Sequence, residues 1–148
     1  MGLYLVLADR GLAQNQNDQG IKPGVPNGTY VSHITGLIPP PGSPPGTPPT
    51  LTLAAIIRIT YFPNATRTGG TTSGVASASI EGTVLTGIPI AGTFTVNGDG
   101  SVTEIDTQTG PPGQTLTFIL YPTLDANTIA ILEIDQGTIA SGVETRGG

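Results

Sequence analysis

Glycine and proline cut this chain into short pieces, which restricts it to β structure. Together they make up almost a quarter of the sequence, 22 Gly and 14 Pro in 148 residues. The pieces between them are rich in Thr, Val and Ile and alternate in polarity, and no window carries a 3.6-residue apolar period. The longest piece, LTLAAIIRITYF (Leu51–Phe62), places Leu51, Leu53, Ala55, Ile57, Ile59 and Tyr61 on one face. Ile56 and Phe62 on its other face predict some cover there too. Further strands are predicted at Thr29–Ile38, Val75–Glu81, Gly82–Thr86, Ala91–Asn97, Ser101–Thr107, Thr115–Tyr121, Thr128–Asp135 and Thr138–Thr145. The tetrapeptide Asn97-Gly98-Asp99-Gly100 supplies the positive-φ positions of a hairpin turn. PPPGSPPGTPPT (Pro39–Thr50) lacks ladder donors and reads as an exposed polyproline-like loop, and Pro63–Gly74 as a polar loop. The expected fold is all-β: a single antiparallel β-barrel or a jelly-roll-like sandwich of about eight strands, over residues 28–148.

A detached apolar strand precedes that domain. Residues 1–8 contain GLYLVLA, with Leu3, Leu5 and Leu7 facing one way and Tyr4, Val6 and Ala8 the other. Residues 9–27 are a polar linker rich in amides, reaching up to about 60 Å at ~3.3 Å per residue. A two-sided apolar strand on such a tether either closes its own barrel or enters a groove in another copy. The second arrangement, with Leu3, Tyr4, Leu5, Val6 and Leu7 as the inserted strand, predicts head-to-tail self-assembly. Its organisation resembles donor-strand fibres.

Charge and composition exclude several classes. The net charge is -5 and only five basic residues occur, scattered along the chain, so phosphate neutralisation of a nucleic acid is not expected. Cysteine is absent, and the single histidine, His33, cannot supply a zinc ligand set. The apolar run at the N-terminus is too short to span a membrane. Gly98 and Gly100 belong to a turn with no following helix, so no phosphate loop is expected. Glu104 with Asp106, and Glu133 with Asp135, sit two apart on strands and read as solvated faces that discourage edge pairing. No catalytic residue, metal or cofactor is predicted.

Two segments carry a resemblance. GTFTVNGDGSVTEID and IAILEIDQGTIASGVETR, within Gly92–Arg146, resemble small secreted bacterial β-barrel domains bearing GTYTVNxDGTxT and a terminal TDxGTxxSGxxxR. The resemblance implies the fold and an extracellular setting. Sequons at Asn27 and Asn64 are candidate N-glycosylation sites, and Ser43, Thr47 and Thr50 in the proline loop are candidate O-glycosylation sites. The expected function is an extracellular or cell-surface structural subunit, not an enzyme, whose partners are other copies of itself and attached glycans. The alternative is a monomeric secreted barrel binding a small apolar ligand, with Tyr30, His33, Tyr61 and Phe118 around a cavity. A cyclase-type enzyme would additionally need a buried carboxylate, or His33, facing that cavity.

Overall fold

The computed structural model describes residues 24–109 and 113–147. The expected strand Leu3–Leu7 lies outside them. Eight strands follow in order: β1 (Gly28–Ile38), β2 (Leu51–Pro63), β3 (Gly69–Ile80), β4 (Thr83–Val96), β5 (Val102–Gln108), β6 (Thr115–Pro122), β7 (Thr128–Glu133) and β8 (Ile139–Arg146). Each pairs antiparallel with the next, and β8 returns to pair with β1 from Tyr30↔Arg146 to Leu37↔Ile139. The β1–β8 ladder decides between the two expected architectures: the sheet is a closed up-and-down barrel. Closure pairs every strand on both sides and leaves no open ladder in the wall.

Two expected boundaries are corrected. β3 begins at Gly69, inside the stretch read as a loop, because Gly69–Ser73 pairs with both Phe62 and Thr95 sides of its neighbours. The separate strands at Gly82–Thr86 and Ala91–Asn97 are one strand, β4, carried through an irregularity opposite Ala76/Ala78. Gly87, at φ 68°, absorbs that irregularity, a conformation costly for a residue with a Cβ. A glycine and a proline that look like a break are thus a bulge in a continuous strand.

Residues 24–27, the end of the expected linker, pack onto the barrel. The Gly24 N–H donates to Thr123 O at 3.1 Å, and Pro26 is buried. Here the lumen is sealed by Tyr30, Tyr61, Val102, Leu120 and Ile129, none more than 1% exposed. The Tyr30 hydroxyl donates to Ala126 O at 2.6 Å across this end. Arg146 donates to Asn27 O at 2.6 Å, its guanidinium 5.5 Å from the Tyr30 ring centroid. Removing the hydroxyl strands a buried carbonyl, so Tyr30→Phe is expected to lower stability by about 1–2 kcal/mol in urea unfolding. At the opposite end the inward-facing Leu53, Ala55, Ile88 and Leu116 are only part-buried against the core. The lumen therefore has a closed end and an apolar mouth.

Candidate functional site

Alternation along each strand carries every second side chain into the lumen. On β5 these are Val102, Glu104 and Asp106; on β7, Ile129, Ile131 and Glu133; on β8, Ala140 and Glu144. Glu104 and Asp106 are 2% exposed, Glu144 3% and Glu133 7%. Glu104, Asp106 and Glu133 thus overturn the expected solvated faces. Asp135 lies beyond β7, where its carboxylate accepts from the Thr117 N–H at 2.7 Å. The outward positions between these acids hold Thr103, Ile105, Thr107, Ala130 and Leu132.

Three of the acids form one cluster with polar groups from three other strands. The Ser32 hydroxyl of β1 donates to Glu144 Oε1 at 2.7 Å, and the Thr72 hydroxyl of β3 to Asp106 Oδ1 at 2.6 Å. Tyr61 of β2 places its hydroxyl 2.5 Å from Glu104 Oε2 and 2.9 Å from Glu144 Oε2. Asp106 lies two residues from Glu104 on the same inward face of β5. A phenol has one proton, so Tyr61 donates to one glutamate and must accept from the other. The Tyr61 hydroxyl makes two oxygen–oxygen contacts, with Glu104 and with Glu144, and supplies one proton. A carboxyl must hold the other. Glu104 is the natural donor to Tyr61, leaving Tyr61 to donate to Glu144.

The electrostatics agree. Burial, then the adjacent Asp106, pushes the Glu104 carboxyl well above its usual range. Burial raises Glu144 to about 7 despite hydrogen bonds from Ser32 and Tyr61 that favour its charged form. Burial and the two nearby glutamates likewise push the Tyr61 phenol well up. The cations of the described residues lie elsewhere: Arg58 points outward, Arg67 sits in a turn, and Arg146 caps the closed end. Among the described residues no cation compensates the acids inside, which favours their protonated forms.

Glu133 stands apart. It and Glu104 flank Phe118 in register, on β7 and β5, which puts their backbones about 10 Å apart at ~4.8 Å per strand. Among the described residues its carboxyl has no hydrogen-bond partner, and it lies toward the mouth. Burial, with Asp135 second, raises it to about 7. Two edge-to-face ring pairs, Tyr30–Tyr61 and Tyr61–Phe94, both with centroids 5.4 Å apart, lock the phenol at the centre of the cluster.

Of the residues expected around a cavity, Tyr30, Tyr61 and Phe118 point inward and are buried together. His33 does not join them: it is exposed on the outer face of β1, opposite Ile56 and Val143. Asn64 is exposed in the β2–β3 turn, its amide oxygen accepting from Thr66 and the Thr68 N–H. Asn27 is exposed beside Arg146, and Ser43, Thr47 and Thr50 lie on the proline loop. The acids were detectable in the sequence by one signal. Glu104 and Asp106 share a face with Val102, and Glu133 with Ile129 and Ile131, while the opposite faces carry no charge.

No protein family, curated protein or solved structure matches this chain. The class is defined by geometry alone: a closed eight-stranded antiparallel barrel with an apolar mouth and a proton-sharing acidic lumen.

Proposed function

We propose that this barrel binds a small, largely apolar molecule carrying one basic or hydrogen-bond-accepting group. The molecule sits in the mouth between Leu53, Ala55, Ile88 and Leu116 and meets Glu133 as its polar contact. The observation that supports this reading is the acidic lumen. A barrel of this size can be filled by aliphatic side chains, as most of this one is. Buried acids without a cation cost stability that such side chains would not. Shifted carboxyls beneath an apolar opening are the usual signature of a small-molecule site. Glu133 and Glu144, raised to about 7, also lie in the protonation range that general acid–base chemistry uses.

Titration with the uncharged fluorophore N-phenyl-1-naphthylamine tests the reading. Saturable, one-to-one enhancement is expected, abolished by Leu53→Trp or Ala55→Phe in variants with an unchanged circular dichroism spectrum. Glu133→Gln is expected to remove the change in affinity as pH passes through 7. Enhancement that survives both mouth substitutions would refute a luminal site.

A further inference from the structure

The outer wall of the barrel carries little charge: β1 and β2 show His33 and Arg58, and Ile56, Phe62, Val75, Val84 and Leu85 of β2–β4 are 45–66% exposed. Over β5–β8 no outward side chain is charged; the polar ones are threonines and one serine. Between them Ile105, Tyr121, Leu132, Ile134, Ile139 and Val143 are 44–64% exposed. Tyr121, Leu132 and Val143 are neighbours in register: Tyr121↔Ala130↔Val143 form one row and Ile119↔Leu132↔Ser141 the next. Soluble monomers rarely leave so continuous an apolar face open to water.

We propose that this face is the docking surface for the chain's own apolar N-terminal segment, residues 3–7. This inference is independent of the luminal site. Three observations favour that occupant. First, the described chain begins at the right place. Gly24 is bonded to Thr123 in the β6–β7 turn, at the end of the face and next to the exposed Leu124. Second, the lengths fit. Residues 9–23 reach up to about 50 Å at ~3.3 Å per residue, while β6, with eight residues, is about 26 Å long. Third, the chemistry matches. Leu3, Leu5 and Leu7 alternate to one side of a segment without charge, and the face offers nothing that would need a charged partner.

Strand addition is not the mode, because β5, β6, β7 and β8 are already paired on both edges. The contact is side chain on side chain across the outside of the wall. A tether of this length holds the segment at roughly millimolar effective concentration, so its own barrel outcompetes a neighbour's at ordinary concentrations.

The chain has no tryptophan, so Leu5→Trp introduces a single reporter. Its emission is expected to be blue-shifted and shielded from acrylamide, independent of protein concentration, in a species that sediments as a monomer. Adding Leu132→Lys with Val143→Lys is expected to red-shift it by placing charge in the seat. Val84→Lys, on β4 and 66% exposed, is expected to leave it unchanged. Circular dichroism of each variant verifies that the barrel persists, since all three lysines replace exposed residues. A red-shifted reporter in the parent, or equal release by Val84→Lys, overturns the proposal. A blue shift that grows with concentration and accompanies oligomers overturns it in favour of a second copy as the occupant.

Discussion

The unfolding free energy is expected to fall as pH rises from 4.5 through about 7, by about 3 kcal/mol from Glu144 alone. The sign follows from which state holds the protons. Glu144 and Glu133 titrate near 7 in the barrel and the Glu104 carboxyl is held well above its usual range, against an ordinary value of 4.5 in the unfolded chain. Between those limits the folded state binds more protons than the unfolded state, so each rise in pH favours unfolding. Their stabilising effect is fully present below 4.5 and is lost through about 7 for Glu144 and Glu133, and the raised Glu104 adds to the same downward slope. The structural reason is burial: a carboxylate formed inside the barrel loses the water that solvates it in the unfolded chain, and at Glu104 the proton lost is the one donated to Tyr61. Urea unfolding at a series of pH values measures the slope. Glu104→Gln keeps the shape without the titration and should make the profile shallower. A profile with no slope from weakly acid to weakly alkaline pH would rule out the protonated cluster.

The second large effect is expected at the seam where the barrel closes. A Cβ on Gly142 of β8 would lie 2.0 Å from His33 O, and one on Gly36 of β1 would lie 2.1 Å from Ile139 O. Both obstacles are backbone of the opposing strand, which cannot swing aside as a flexible side chain would. Gly142→Ala must therefore push β1 and β8 apart, at an expected cost of about 3 kcal/mol or more. Gly98, in the β4–β5 turn, has nothing within 4 Å of a built Cβ, and Gly98→Ala should stay within about 0.5 kcal/mol of the parent. Thermal unfolding of the two variants side by side separates the seam from the turn. Equal midpoints would mean that the close approach of β1 and β8 does not limit stability.

Much of the architecture is written locally. The turn at Asn97–Gly100 forms where its residues demand: the Asp99 carboxylate accepts from the Ser101 N–H at 2.9 Å, and the Asn97 N–H donates to Ser101 O at 2.8 Å. The proline loop lies outside the strands because its residues cannot donate to a ladder. The inward face of β2 is the apolar set that alternation picks out. Where local reading went astray, at Gly69–Ser73 and around Gly87, glycines that resemble a break are the positions that let a long strand bend into a barrel wall.

The acids are the clearest division between the two levels. Period-two alternation establishes that Glu104 and Asp106 share a face with Val102, and Glu133 with Ile131, from sequence alone. It cannot say which face is the inside, because a strand has two equivalent sides until its sheet curves. The sequence by itself determined an all-β chain with these strands, this hairpin and these facial groupings, since each depends on residues near one another along the backbone. Only closure of β8 onto β1, pairing residues more than a hundred positions apart, decided the rest. It turned the acidic faces inward, where water cannot solvate them and protons are shared, and left an uncharged apolar face outside.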